Sequence, residues 1–272
     1  MPILHAIVLG IVQGLSEFLP ISSSGHLLIV PWLFGWDDFA GDESLKKTFD
    51  VALHIGTLVG VLAYFRKDLV RLAIAAFTEP RSRDGRLAWY LAVSTVPAAI
   101  TGALFSDVIE EELGQIWLIA VMLISFGLVL AWADRRYGGR TAEHVTFRDV
   151  MIMGAGQAVA LQPGVSRSGV TMTAGRLAGL GRDGAARIAF LMSVPITAGA
   201  VVFKAADVFG ADGGGIPAGF GPAFAWGIVA SAVTGWFAVW GTLKLVRTRT
   251  FKPFVIYRIV AGVAVLAIYA LR

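Results

Sequence analysis

Residues 13–26 read QGLSEFLPISSSGH. A glutamate, a glutamine, four serines, a histidine and the helix-breaking Pro20 fall inside the first apolar stretch of the chain. How that stretch meets its surroundings decides the fold. The chain has 272 residues, 56% of them hydrophobic and 15% charged, and a mean hydropathy of +0.72. Soluble domains carry roughly 25% charged residues. Apolar runs such as LIAVMLISFGLVLAWA (118–133) and FVIYRIVAGVAVLAIYAL (254–271) have the length of about 20 residues that carries a helix across a bilayer. The sequence therefore predicts an all-α polytopic membrane protein with one integral domain over 1–272.

The chain has no cysteine, which excludes disulfides, thiolate metal sites and thiolate nucleophiles. The first residues, MPILHAIVLGIVQG, lack a basic leader and a small-residue cleavage signal, so no removable signal peptide is expected. The formal charge of +4 sits in loops. In a membrane protein such loops set orientation, so no nucleic-acid partner is expected.

Full spans are expected at about 49–66, 87–106, 115–134, 184–205, 223–246 and 253–271. Basic loops hold Arg66, Lys67, Arg71, Arg81, Arg83 and Arg86, then Arg135, Arg136, Arg140 and Arg148, then Lys244, Arg247, Arg249 and Lys252. Acidic loops hold Asp37, Asp38, Asp42 and Glu43, then Asp107, Glu110, Glu111 and Glu112, then Asp207 and Asp212 within 206–222. Basic loops stay in the cytoplasm, and the alternation works for six spans.

Two regions, 2–35 and 148–181, are apolar but broken by Pro, Gly and Ser. If each were a single span, the charge assignment would fail at the next loop. Both are therefore read as re-entrant helix hairpins, the first entering from outside and the second from the cytoplasm. A shift of 144 brings Gly10 onto Gly154, Gln13 onto Gln157, Ser22 onto Ser166, Ser24 onto Ser168 and Gly25 onto Gly169. Each hairpin precedes three spans. The expected architecture is an inverted-topology repeat, about 1–136 and 146–272.

Irregular backbone at membrane depth must be buried in protein or line a wet cavity. Helices restart near Ser24 and Ser168, and a helix N-terminus with its free N–H groups favours an anion. Capping serines add donors. Arg167, between Ser166 and Ser168, can grip phosphate oxygens in a bidentate fork; the plainer alternative is that it only pairs with Glu17. Glu17 is costly at membrane depth unless paired. With Gln13 one turn earlier on the same face, it could hold a hard divalent cation shared with substrate phosphates. His26 is the best general acid, base or nucleophile, against the plainer reading of a core histidine. His5, His54 and His144 have no comparable neighbours, although His54, in LHIGT, stays open as a supporting group.

Two rival readings can be weighed from the same residues. SSGH resembles the PSGH motif of the type-2 phosphatidate phosphatases. However, Thr173 stands where that family needs its second histidine, and no KxxxxxxRP stretch occurs. A lipid-phosphate transporter would share the repeat architecture, but binding alone does not call for Glu17 and His26 beside an anion site.

QGLSEFLPISSSGH and QPGVSRSGVT (162–171) together resemble the motifs of the undecaprenyl-diphosphate phosphatase family, the bacitracin-resistance membrane phosphatases. STVPAAITG (94–102) and PFVIYRI (253–259) extend the resemblance along the whole chain. One departure is Gln13, which stands where many members have a glutamate. The resemblance implies hydrolysis of undecaprenyl diphosphate to the monophosphate and inorganic phosphate, recycling the lipid carrier for cell-wall glycans. It implies a divalent cation (Mg²⁺ or Ca²⁺), a bacterial inner-membrane location, a site opening to the periplasm, and bacitracin resistance on overproduction. Roles carry over to Glu17, Ser23, His26, Ser166, Arg167 and Thr171; the residues themselves add Ser22, Ser24 and Ser168 beside the phosphates and Glu17 with Gln13 as metal ligands, Glu17 being the one strong ligand. Either His26 or Ser23 could be the nucleophile, with His26 favoured as acid, base or nucleophile. The expected partner is the polyprenyl diphosphate within membrane lipid, and the sequence leaves room for a homodimer.

Overall fold

Helix after helix follows from the apolar runs, and the described residues contain no strand beyond one isolated bridge between Arg140 and Leu180. The computed structural model describes residues 1–136, 138–209 and 219–272. Asp212 and most of the expected 206–222 loop lie outside the described residues, as do the side chains of Asp107, Glu110, Glu111 and Asp207.

The α-helices in chain order are α1 (Ile3–Phe18), α2 (Ser23–Phe34), α3 (Glu43–Thr78), α4 (Arg83–Val93), α5 (Val96–Glu111), α6 (Ile116–Asp134), α7 (Phe147–Val159), α8 (Arg167–Leu177), α9 (Arg182–Phe209), α10 (Gly221–Thr248) and α11 (Lys252–Leu271). Six helical segments are long and apolar enough to cross a membrane: Glu43–Thr78, Arg83–Phe105, Ile116–Asp134, Arg182–Phe203, Gly221–Thr248 and Lys252–Leu271. Each contains or closely matches one expected span. The chain is a multi-pass membrane protein.

The largest difference from expectation is α3. Arg66, Lys67 and Arg71 sit on the helix rather than in a loop, and α3 continues to Thr78. At 1.5 Å per residue its 36 residues reach about 54 Å. The charged turns are held in helix by Arg71 on Asp68 (3.2 Å) and Asp84 (3.0 Å), and by Arg187 of α9 on Asp68 (2.7 Å). The span at 87–106 is two helices, α4 and α5, broken at Ser94–Thr95. Pro97 lacks the N–H that a continuous helix would need to pair with the Val93 carbonyl.

Lipid chains give little hydrophobic drive for helices to associate, so close backbone packing must supply it. α10 packs against both α1 and α3. A Cβ on Gly10 would lie 2.5 Å from the Gly227 carbonyl oxygen, and one on Gly60 would lie 2.6 Å from that of Ala232. Only glycine allows these approaches. Ser231 of α10 adds a hydrogen bond to the Leu53 carbonyl at 2.7 Å. In the second half of the chain, α7 lies against α5. There a Cβ on Gly154 would meet the Ser94 carbonyl oxygen at 2.5 Å.

Candidate active site

Two short breaks in helix build the site. After α1 the chain is extended at Leu19, passes Pro20 and Ile21, and enters a left-handed conformation at Ser22 (φ 78°, ψ 97°) before α2 begins. After α7 it passes Pro163 and Gly164 and takes nearly the same conformation at Ser166 (φ 78°, ψ 111°) before α8 begins. A non-glycine residue rarely adopts positive φ. Both serines recover the cost by capping: Ser22 Oγ accepts from the Gly25 N–H at 3.4 Å, and Ser166 Oγ from the Gly169 N–H at 3.1 Å.

The breaks touch each other. Gly164 N–H donates to Ser22 Oγ at 3.0 Å, and Ser168 Oγ donates to the Leu19 carbonyl at 3.0 Å. Ser166 and Ser168 hydroxyls lie 3.3 Å apart. The N-terminal ends of α2 and α8, each with unpaired N–H groups and a positive dipole end, thus belong to one locus.

Glu17 lies in the last turn of α1 and is buried. Its Oε1 pairs with Arg167, the first residue of α8. Its Oε2 accepts from Ser23 Oγ at 2.5 Å and from Gln13 Nε2 at 3.1 Å. His54 of α3 brings Nε2 to 3.7 Å of the same oxygen. Gln13 Oε1 is buried with no hydrogen-bond partner.

His26, buried in α2, has both ring nitrogens engaged: Nδ1 with the Ser22 carbonyl at 2.6 Å and Nε2 with the Tyr257 hydroxyl at 2.8 Å. Ser24 is exposed on the first turn of α2. Thr171 is buried, and its hydroxyl donates back to the carbonyls of Arg167 (2.8 Å) and Ser168 (3.1 Å). Behind the two breaks Arg258 is fully buried. Its guanidinium donates to the carbonyls of Pro20 (3.2 Å), Gly164 (2.9 Å), Val165 (3.0 Å) and Leu123 (3.0 Å).

The residues expected at the site thus divide. Gln13, Glu17, Ser23 and Arg167 form one hydrogen-bonded group. Ser22, Ser166 and Ser168 hold the two breaks together. His26 stands on the face of α2 that it shares with Ser23, three residues earlier. The arrangement offers a carboxylate beside a hydroxyl, a guanidinium, and two helix ends, which suits chemistry on a strongly anionic group.

The family model described as "Bacitracin resistance protein BacA" matches residues 6–264. The chain belongs to this family. It is 44% identical over 273 residues to the undecaprenyl-diphosphatase of Pelotomaculum thermopropionicum, covering 100% of this chain and 98% of the relative. It is 45% identical to that of Moorella thermoacetica, with 100% of each covered. Identity to that of Geobacter sulfurreducens is 47%, with 98% of each covered.

In this BacA-family chain, sequence reasoning undervalued three residues. His54 does have a notable neighbour, Glu17, because α1 packs against α3. Tyr257 and Arg258 lie in PFVIYRI, a stretch that resembles the family but was given no role. The sequence signal available for both was a polar pair inside an otherwise apolar span.

Proposed function

We propose that this protein hydrolyses undecaprenyl diphosphate to undecaprenyl phosphate and inorganic phosphate, recycling the lipid carrier of cell-wall synthesis. The observation that carries the reading is the buried Glu17, which accepts from Ser23 on one oxygen and Arg167 on the other, where two serine-capped helices begin. Relatives matched along the full chain bear the name undecaprenyl-diphosphatase, and overproduction should confer bacitracin resistance.

A nucleophile beside a base within hydrogen-bond reach is the signature of covalent catalysis. Ser23 and Glu17 have that geometry, whereas His26 has no free nitrogen in this arrangement. In the proposed course Arg167 leaves Glu17 for the phosphate oxygens, which it can grip bidentately, and this frees Glu17 to accept a proton. Ser23 Oγ attacks the terminal phosphorus and its proton passes to Glu17. The bond from that phosphorus to the bridging oxygen breaks, and undecaprenyl phosphate departs. Water then attacks the phosphoserine and its proton passes to His26; the bond from phosphorus to Ser23 Oγ breaks, Oγ takes back the proton held by Glu17, and phosphate departs. The helix ends and Arg167 stabilise charge on the transferred phosphoryl group.

A divalent cation, Mg²⁺ or Ca²⁺, fits this reading in part. Gln13 Oε1 is a buried oxygen without a partner, on the amide whose nitrogen donates to Glu17. Among the described residues, no three His, Cys, Asp or Glu side chains gather into a metal cluster. Glu17 and Gln13 would therefore hold the ion together with substrate oxygens. Such an ion neutralises phosphate charge.

The same proposal includes two re-entrant hairpins, α1–α2 and α7–α8, in an inverted repeat, with the site open to the periplasmic side of a bacterial inner membrane. At 16, 12, 13 and 11 residues, each of these helices is shorter than the about 20 residues that span a bilayer. The matched conformations of Ser22 and Ser166 and the matched glycine contacts of Gly10 and Gly154 support the repeat. The test is phosphate release from undecaprenyl diphosphate by purified protein in detergent, with and without chelator. Lipid binding without phosphate release would reject the hydrolase in favour of a carrier.

A further inference from the structure

His26 has one nitrogen for proton transfer, and a residue from the far end of the chain occupies it. Its Nδ1 lies 2.6 Å from the Ser22 carbonyl oxygen. A carbonyl only accepts, so Nδ1 carries the proton and the neutral ring leaves its lone pair on Nε2. That lone pair meets the Tyr257 hydroxyl at 2.8 Å. The two rings stack at 5.6 Å between centroids with planes 18° apart. Tyr257 is 44% exposed while His26 is 8% exposed, so the phenol covers the imidazole from outside.

The position of Tyr257 is tied to the site by its neighbour. Arg258 is 0% exposed and fastens α11 to the carbonyls of Pro20, Gly164 and Val165, in both helix breaks. Resting on the hydrolase reading above, we propose that Tyr257 relays the proton between attacking water and His26. Its hydroxyl donates to Nε2 while the ring is neutral. As water attacks, its proton passes to the phenol oxygen and the hydroxyl hydrogen passes to Nε2; Nε2–H then donates to the phenol oxygen, which keeps the hydrogen that came from water. The imidazole gains and returns a proton without losing its partner or its plane, and no proton is lost or created.

The test combines kinetics with a direct view of the ring. In Tyr257→Phe, kcat should fall about tenfold, the rate equivalent of one hydrogen bond, with KM within about twofold. In ¹⁵N spectra at pH 8, above the ordinary imidazole range of about 6.5, the unprotonated nitrogen of His26, identified by its absence in His26→Gln, should shift downfield in Tyr257→Phe. Fluorotyrosines placed at 257 keep the packing and the hydroxyl while changing its acidity, and kcat should grade with that acidity. Unchanged kcat in Tyr257→Phe, an unmoved nitrogen resonance, or equal kcat across the fluorotyrosines would each overturn the proposal. Where Tyr257→Phe fails to fold, the fluorotyrosine series decides alone. If the unaltered protein releases no phosphate, the hydrolase reading falls, while the nitrogen spectrum still reports whether Tyr257 holds His26.

Discussion

Arg167 and Glu17, 150 residues apart in the chain, form an ion pair that joins the start of α8 to the end of α1. The carboxylate is buried and the guanidinium only partly covered. The pair is thus a structural closure of the site and, in the proposed reaction, the contact that substrate must open.

Arg167→Lys should lower kcat about 10²–10³-fold, the usual loss when one donor to developing charge is removed. An ammonium keeps the charge but not the fork. Phosphate release in detergent measures this, and near-normal turnover would reduce Arg167 to a counter-ion for Glu17.

Glu17→Gln should abolish cation-dependent hydrolysis, while Gln13→Ala should only weaken it. A carboxylate binds a hard cation far better than an amide oxygen, and Glu17 also accepts from Ser23. Titrating Mg²⁺ against activity checks both variants; an inactive Gln13→Ala beside an active Glu17→Gln would reverse the assignment.

Ser22 should separate conformation from capping. Its φ of 78° suits glycine, so Ser22→Gly loses the hydroxyl that Gly25 and Gly164 donate to but not the backbone fit. Ser22→Ala loses the hydroxyl and keeps the costly positive φ, and removal of a cap alone costs about 0.5–2 kcal/mol. Thermal unfolding in detergent should rank unaltered protein above Ser22→Gly above Ser22→Ala.

Gly60→Val should disrupt packing of α3 on α10. A Cβ there meets backbone atoms, the Ala232 carbonyl oxygen at 2.6 Å and the Trp236 nitrogen at 3.0 Å, and backbone cannot rotate aside. Size-exclusion chromatography should show loss of monodisperse protein, whereas Gly241→Ala, with nothing within 4 Å of its added Cβ, should behave normally.

Topology can be read by single cysteines in this cysteine-free chain. Cysteines at Asp38 and Glu112 should react with an impermeant thiol reagent in cells with an opened outer membrane; those at Arg83, Arg140 and Arg249 should not. Labelling of Glu112 with protection of Asp38 would put an odd number of crossings between them and overturn the layout in which α3 and α4–α5 cross once each.

The spans were legible because apolar length is a local property of sequence. Glu17 and Arg167 were legible as candidates because both stood among serines and glycines in apolar surroundings. His54 was not, since only the packing of α1 on α3 brings it near Glu17, across 37 positions of sequence. Arg258 was illegible for another reason: its partners are backbone carbonyls, which every residue carries and no side-chain pattern announces. The length of α3 was hidden by charges that resemble a loop until Asp68, Asp84 and Arg187 are seen to pair along the helix.

The packing of α1 on α10 has a consequence for synthesis. α1 leaves the ribosome first, yet Gly10 closes on Gly227, some two hundred residues later. At about 5–20 residues per second that interval is about 10–40 s. Through that interval α1 has no α10 to pack against, and Glu17 has no Arg167 until 150 residues after its own synthesis. The hydrogen-bonded group of Gln13, Glu17, Ser23 and Arg167 cannot assemble before the chain has passed Arg167, so a product that ends earlier lacks it.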